Sequence, residues 1–221
     1  MSLIITVSKL DQAIELAKTH HEWQKRKDGS NYIDHPIAVM ETLKQYDFPE
    51  ELLIAAVLHD ICEDTVICSI DINKLFWTRV WFVVNALSKN PKPKNNEELK
   101  KEYKENENKK KISNLETYKD FDEYIDYRFH IYLNRLYIWI IADPRIFFIK
   151  VADQLHNLSD MRIFPLEKKK RKIEEVEKYF LPIYKKVKYI FDINASTLEK
   201  YDIFIKLLED KLLEARNIYL N

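Results

Sequence analysis

Glycine is almost absent from this chain, and this absence limits the possible folds more than any other feature does. Gly29 is the only glycine among 221 residues, and seven prolines are spread along the sequence. Sandwiches, barrels and phosphate-binding loops depend on glycine-rich turns, whereas long helices do not. We therefore predict an all-α fold. Contents of 46% hydrophobic and 33% charged residues are typical of a globular domain.

The balance of charge excludes several classes of function. The 36 basic residues equal the 36 acidic ones, so the chain lacks the positive excess of a general nucleic-acid binder. Cys62 and Cys68 are too few for a disulfide framework, and we interpret them as reduced thiols. No run reaches the about 18 apolar residues of a membrane span, and the first residues lack a basic leader. We expect a cytoplasmic protein with no membrane and no nucleic-acid partner.

Apolar periodicity and prolines predict a series of helices. The first begins after Ser8 as N-cap and ends near residue 23. Pro36 fits the first position of a second helix, which would place His35 at its N-cap, and Pro49 opens a third helix that is apolar on most sides. Further helices are expected at about 70–87 with a break near Phe76, at about 121–141, 145–158, 167–190 with a kink at Pro182, and 196–218.

A polar segment interrupts this pattern. Residues 89–111 contain Pro91, Pro93 and many Lys, Asn and Glu residues, so we interpret about 89–120 as a charged insertion that is solvent-exposed and partly mobile. A basic arm that attracts an anionic substrate is the alternative, although acidic residues are interleaved throughout. The predicted organisation is one domain at 1–190 with a C-terminal helical extension at 191–221 packed on it. The mixed faces of these last helices also fit a homodimer interface.

Ionisable residues cluster on two of the apolar helices. One group ends the third helix and the other lies within a later one: His59, Asp60, Glu63 and Asp64, and then Lys150, Asp153 and Asn157. Residues three and four apart share a helix face, so each group can project into one cleft. Carboxylates at the end of an apolar helix carry a large desolvation cost unless they bind a cation or stay solvated.

A metal ion would resolve that cost. Two imidazoles with carboxylates and no thiolate suit Mn²⁺, Fe²⁺, Co²⁺ or Zn²⁺ with room for water. Such an ion lowers the pKa of bound water and neutralises a phosphate under attack. Each piece alone has an ordinary explanation: His35 could be only an N-cap, and Asp153 with Asn157 could be a solvated polar stripe. Their joint occurrence favours a metal-dependent phosphohydrolase.

Three segments of the chain resemble the HD superfamily, and within it the (p)ppGpp hydrolase domain of RelA/SpoT-type enzymes and their small, hydrolase-only relatives. The segments are QKRKDGSNYIDHP at 24–36, LHDICEDT at 58–65 and IKVADQLHNL at 149–158. Their order and approximate spacing also agree with the family. The extended His-Asp-x-x-Glu-Asp-Thr form is much more specific than a His-Asp pair alone.

The resemblance implies an HD-domain helical bundle that removes the 3′-pyrophosphate of guanosine tetra- or pentaphosphate by attack of a metal-bound water. The implied ligands of one divalent metal, usually Mn²⁺, are His35, His59, Asp60 and Asp153. The implied catalytic residues are Glu63 and Asp64, which would orient and deprotonate the water, and Asn157. The residues expected to contact the nucleotide substrate are Arg26, Lys27, Tyr32, Lys150 and Asp160.

Two departures from the family concern the substrate. Gly29-Ser30-Asn31-Tyr32 stands where the family often has Gly-Glu-Pro-Tyr, and Asp160 stands where many relatives carry a hydroxyl residue. The added negative charge of Asp160 could disfavour a highly phosphorylated nucleotide. The alternatives are therefore an HD phosphohydrolase acting on NADPH or nucleoside phosphates, and a catalytically idle nucleotide-sensing module.

Overall fold

The computed structural model describes residues 7–88, 96–113, 119–190 and 195–220, and the prediction of an all-α fold is confirmed within these ranges. Apart from an isolated bridge between Lys25 and Asn31, they contain no strand pairing. The helices are α1 Lys9–His21, α2 Asp34–Lys44, α3 Glu50–Val57, α4 Ile61–Asp64, α5 Ser69–Leu75, α6 Thr78–Leu87, α7 Asn96–Ser113, α8 Phe121–Ala142, α9 Arg145–Ser159, α10 Leu166–Glu175, α11 Leu181–Val187 and α12 Ala195–Tyr219.

The start of α1 and the loop that follows it agree with the sequence prediction. Ser8 is the N-cap, and its side chain accepts a hydrogen bond from the amide of Asp11 at 3.0 Å. In the loop, the amide of Gly29 donates to the carbonyl of Arg26 at 3.0 Å. Gly29 has φ 88, a left-handed conformation that is costly for other residues, whereas a Cβ there would meet no atom within 4 Å. Glycine is therefore favoured here because of its left-handed backbone conformation, and not because a side chain would clash.

The predicted N-cap role of His35 is wrong. Helix α2 begins one residue earlier, at Asp34, its N-cap is Ile33, and Pro36 is its third residue. Proline fits there because the first amides of a helix have no intrahelical acceptor, so the missing N–H costs no hydrogen bond. His35 consequently lies in the first turn of α2, where its side chain is 3% exposed.

The third helix also ends earlier than its apolar run predicted. Helix α3 stops at Val57, and the chain makes a turn through Leu58, His59 and Asp60 before the short helix α4. On a continuous helix, consecutive side chains are rotated by about 100° from each other. The turn removes this restriction and allows two consecutive residues to face the same point.

The core is built around α3 and α9. Helix α9 packs against α2, α3, α6, α8 and α12. On the side of α12, Phe147 stacks on Tyr201 with ring centroids 3.9 Å apart, and Phe148 meets Phe204 edge-on at 5.2 Å. Residues 195–219 therefore lie along the helix that carries Asp153, whereas a domain boundary near residue 190 remains a prediction.

The expected insertion contains a helix that the sequence analysis did not predict. Glu and Lys are good helix formers, and α7 is rich in both. Polar contacts hold it on α8: Tyr124 donates its hydroxyl hydrogen to Glu102 at 2.7 Å, Asn106 donates to the Tyr124 hydroxyl at 3.0 Å, and Arg128 pairs with Glu102. Pro91, Pro93 and the rest of 89–95, together with 114–118, lie outside the described residues, so the predicted mobility stays a prediction there.

Two further interruptions of the helices lie at aromatic residues or next to a proline. Phe76 and Trp77 separate α5 from α6, as predicted. A π-helical turn, Val176–Phe180, joins α10 to α11, and Pro182 follows it as the second residue of α11. Proline cannot donate to the carbonyl four residues back, which explains an irregular turn at this position. Within the described ranges, no helix combines the length and the apolar character needed to cross a membrane.

Candidate active site

Four of the predicted side chains meet at one point in the interior. His35 comes from the first turn of α2, His59 and Asp60 from the turn before α4, and Asp153 from the middle of α9. Nε2 of His35 lies 3.2 Å from Oδ1 of Asp153 and 3.7 Å from Oδ2 of Asp60. Nε2 of His59 lies 3.2 Å from the same Asp60 oxygen and 4.0 Å from the same Asp153 oxygen. We call these four residues the metal centre.

The donors of the metal centre fit a divalent ion. Two donor atoms that are each about 2.1 Å from one ion are themselves about 3 to 4 Å apart, which matches the observed separations. The nearest nitrogen and oxygen atoms of His35, His59 and Asp153 all lie within 4.8 Å of one another. Nε2 of His59 is buried and makes no regular hydrogen bond to any described residue. Its 3.2 Å contact with Asp60 lacks regular hydrogen-bond geometry, so this nitrogen is available as a metal donor.

The charges of the pocket favour a cation at the same place. Burial alone would lower the pKa of His59, but the carboxylates of Asp60 and Asp153 outweigh it and raise the pKa to about 9. Burial likewise opposes ionisation of Asp60, yet His59 holds the pKa of this carboxyl below its ordinary value. The pocket therefore stabilises positive charge between two ionised carboxylates.

The two histidines are oriented by different partners. Nδ1 of His59 lies 2.7 Å from the carbonyl oxygen of Ala56 and donates to it, which leaves Nε2 facing the carboxylates. Nδ1 of His35 lies 2.9 Å from Nδ1 of His156, one helical turn beyond Asp153 on α9. No role for His156 could be predicted from the sequence. Burial, followed by the charges of His35 and Arg26, lowers the pKa of His156 to about 4.

Two other side chains of α9 donate hydrogen bonds to the carboxylate of Asp153. Lys150 Nζ donates to Oδ2 at 2.5 Å, and Asn157 Nδ2 donates to Oδ1. Burial opposes the charge of Lys150, but Asp153 keeps its pKa above the ordinary value. The two helical neighbours therefore fix the carboxylate, and Lys150, expected at the substrate, is engaged with a predicted metal ligand in this structure.

Tyr32 links the metal centre to the predicted catalytic carboxylates. Its hydroxyl oxygen lies 2.6 Å from Oδ2 of Asp60 and 2.7 Å from Oδ2 of Asp64, and its hydrogen is available to either. Burial and these two negative charges raise the pKa of Tyr32, so the hydroxyl keeps its hydrogen. Its ring stacks on His21 at 4.8 Å. Glu63 precedes Asp64 on α4 and is half-buried.

Arg26 connects the loop after α1 to the end of α9. Its Nε donates to Oδ2 of Asp160 at 2.9 Å, and its Nη2 donates to Oδ1 of Asn157 at 3.4 Å. The negative charge that the sequence analysis attributed to Asp160 is therefore balanced by a neighbouring guanidinium. Through Asn157, Arg26 is one side chain removed from Asp153.

A group of lysines lies beside Arg26, and only one of them was predicted. The ammonium groups of Lys27, Lys168 and Lys172 lie 5.5, 3.8 and 5.8 Å from the ring centroid of Phe164. Burial and the neighbouring charges of Lys27 and Lys172 lower the pKa of Lys168 to about 8. We call Lys27, Lys168 and Lys172 the basic rim. The i, i+4 spacing of Lys168 and Lys172 in a Lys-rich run was the only signal in the sequence.

Comparisons with known proteins agree with this geometry. A family model described as HD domain matches residues 13–120, which include His35, His59 and Asp60. The guanosine-3′,5′-bis(diphosphate) 3′-pyrophosphohydrolase of Aquifex aeolicus is 30% identical over 175 residues, 79% of this chain and 21% of that protein. The bifunctional (p)ppGpp synthase/hydrolase SpoT of Escherichia coli K12 is 29% identical over 177 residues, 80% of this chain and 21% of that protein. A GTP pyrophosphokinase of Streptomyces coelicolor is 28% identical over 95% of this chain and 21% of its own length.

A solved structure shows the same fold. It is a metazoan ortholog of SpoT described as hydrolysing ppGpp, with 24% sequence identity, a TM-score of 0.52, and coverage of 91% of this chain and 96% of that chain. The chain spans about a fifth of the length of the curated relatives named above. The predicted resemblance is thus confirmed: an HD-domain model matches residues 13–120, and the chain is similar, over most of its length, to RelA/SpoT-type (p)ppGpp enzymes.

Proposed function

We propose that this chain is a divalent-metal-dependent hydrolase that removes the 3′-pyrophosphate of guanosine tetra- or pentaphosphate. The observation that carries the proposal is the link between two features: a His-His-Asp-Asp set, and a rim of lysines connected to it by Arg26, which neighbours Lys27 and donates to Asn157 beside Asp153. The matched regions of relatives named as (p)ppGpp hydrolases support the substrate.

The donor set favours a particular kind of ion. Nitrogen and carboxylate donors without a thiolate suit Mn²⁺, which we propose as the ion, ahead of Fe²⁺, Co²⁺ or Zn²⁺. The chemistry that a bound divalent ion supplies is a lowered pKa of water and neutralisation of phosphate charge. His35, His59, Asp60 and Asp153 would hold it.

We assign the acceptance of the proton from the attacking water to the carboxylates of α4. Glu63 and Asp64 follow Asp60 within one helical turn, so they can accept a proton from a water molecule attacking phosphorus. Tyr32 restrains Asp64 and Asp60 together, which fixes the distance between the proton acceptor and the metal centre. Asn157 is held between Asp153 and Arg26, and we assign it to contact the 3′-phosphates.

The positively charged side chains outside the metal centre are assigned to nucleotide binding. Arg26 has 14% of its side chain exposed, and its planar guanidinium suits a nucleobase face or a phosphate pair. Lys27, Lys168 and Lys172 present three ammonium groups around one aromatic ring, so an anion placed among them would relieve their mutual repulsion. We assign the 5′-phosphates to this rim.

A second candidate function rests on the two contacts of Arg26. Arg26 is already paired with Asp160 and Asn157, so the cleft offers one cation fewer to a highly phosphorylated ligand. This arrangement favours a less charged substrate such as NADPH or a nucleoside phosphate, processed at the same metal centre with release of orthophosphate.

The experiment that separates these candidates is a product assay. Protein loaded with Mn²⁺ is incubated with ppGpp, NADPH, and nucleoside mono- and triphosphates, and pyrophosphate and orthophosphate are measured separately. Pyrophosphate from ppGpp is the expected result, and the Asp60→Ala variant is the control for contaminating phosphatases. Release of orthophosphate from another compound would mean that this compound, and not ppGpp, is the substrate. Metal binding without any product would favour a nucleotide-sensing module.

A further inference from the structure

We propose that His156 is a positioning residue that fixes the metal-facing nitrogen of His35. The starting observation is the separation of 2.9 Å between the Nδ1 atoms of the two rings, whose centroids are 4.8 Å apart and whose planes are tilted by 56°. The inference rests on the metal centre of the proposed function and is independent of the substrate.

The direction of this hydrogen bond follows from simple chemistry. Two nitrogens at such a distance share one hydrogen, so one ring donates and the other accepts. Nε2 of His35 faces Asp60 and Asp153, and a neutral imidazole that offers this nitrogen to a metal carries its hydrogen on Nδ1. His35 is therefore the donor, Nδ1 of His156 is the acceptor, and His156 carries its own hydrogen on Nε2.

His59 shows why the acceptor of His35 is unusual. The Nδ1 hydrogen of His59 is taken by the carbonyl oxygen of Ala56, a group that can only accept and that no substitution removes. An imidazole can donate or accept, so His156 orients His35 correctly in only one tautomer. The orientation of one ligand is thus determined by the backbone, whereas that of the other depends on a replaceable side chain.

The surroundings of His156 suit this tautomer. His156 lines a cavity of about 400 Å³ between α2, α9 and α12, together with Thr42, Leu155, Ser159, Leu207, Asp210, Lys211 and Glu214. The two carboxylates among these residues are paired with lysines, Asp210 with Lys206 at 2.8 Å and Glu214 with Lys211 at 2.6 Å. A cavity of this size admits water, which can accept from an N–H on the far side of the ring. The cavity also gives room for substitutions at position 156 that do not enter the substrate cleft.

Two substitutions separate positioning from packing. In His156→Asn, the amide oxygen can occupy about the position of Nδ1 and accept from His35, whereas His156→Leu fills the space without an acceptor. Loss of such an outer partner weakens metal binding by about 10- to 100-fold. We expect this loss of Mn²⁺ affinity for the leucine variant, measured by calorimetric titration of the metal-free protein, and near wild-type affinity for the asparagine variant. Ser159→Ala, in the same cavity, is the matched control and should bind Mn²⁺ normally.

The outcomes are distinct. Wild-type Mn²⁺ affinity in a folded His156→Leu variant, or equal losses in the leucine and asparagine variants, would overturn the positioning role. If the leucine variant fails to fold, ¹⁵N shifts of the zinc-loaded wild-type protein decide: a pyridine-type Nδ1 at His156 supports the proposal and a protonated Nδ1 refutes it. A wild-type chain that binds no divalent ion refutes both proposals, whereas one that binds Mn²⁺ and leaves ppGpp intact refutes only the proposed substrate.

Discussion

The metal centre and the basic rim are connected through Asn157 and Arg26 but are constructed in opposite ways. The donors of the metal centre come from α2, the turn before α4 and α9, and most are buried with a fixed partner. The rim consists of long, flexible side chains around Phe164 at the surface. The first site is preorganised by packing, whereas the second attracts its ligand through charges that water and salt can screen.

This difference predicts that the metal centre contributes to the chemical step and the basic rim contributes to nucleotide affinity. Changes in the metal centre should remove the chemistry almost completely and depend little on salt. Changes in the rim should alter nucleotide affinity moderately and depend on both salt and pH.

The largest effect is expected for Asp60→Ala. This substitution removes a carboxylate that lies 3.2 Å from His59 and 3.7 Å from His35, and it also releases Tyr32. Because an ion at such a site contributes several kcal/mol to the reaction, we expect activity to fall by about a thousandfold or more. Elemental analysis should show that bound metal is lost in parallel. A variant that keeps both its metal and its turnover would contradict the ligand assignment.

A smaller but still large effect is expected for Glu63→Gln. The amide has the same shape but cannot accept the proton, so kcat should fall by about 10²- to 10⁴-fold while bound metal is retained. Parallel measurements of turnover and metal content check this expectation. Full activity of this variant would mean that Glu63 is not the proton acceptor.

Substitutions in the rim should affect KM and leave metal binding intact. Lys168→Ala and Lys172→Ala each remove one partly exposed charge, and such contacts contribute about 0.2–1 kcal/mol, so we expect severalfold increases in KM at most. The increase should shrink as ionic strength rises. Lys170→Ala, an exposed position on the same helix, is the matched control. Equal effects of the three substitutions would show that the rim is not a specific anion site.

The smallest effect concerns pH. Lys168 has a pKa lowered to about 8, so it is charged below this pH and loses its charge above it. Nucleotide affinity should therefore decrease as the pH rises through about 8. Arginine keeps its charge in this range, so Lys168→Arg should flatten that part of the KM profile. Identical profiles for the two proteins would exclude Lys168 from nucleotide binding.

The fold class could be predicted because glycine poverty and apolar periodicity act over the whole chain. Residue types and spacing indicated a metal site, and the resemblance to the HD family implied which four residues are its donors. The end of α3 at Val57 could not be predicted, since the apolar run continues through Leu58 and gives no local signal for a turn. His156 and Lys168 were missed for another reason: their partners, His35 and Lys27, are far away in sequence, and only tertiary structure brings them together.

The position of α9 has a consequence for how long each part of the site persists. Because five helices cover it, its backbone amides should exchange with solvent only when the whole domain unfolds. Asp153 and Asn157 would then keep their places for the lifetime of the folded state. The loop that carries Arg26 and Lys27 is surface chain, and such loops rearrange in about nanoseconds to microseconds. Nucleotides can therefore bind to and dissociate from the loop of Arg26 and Lys27 many times while the metal centre keeps one structure.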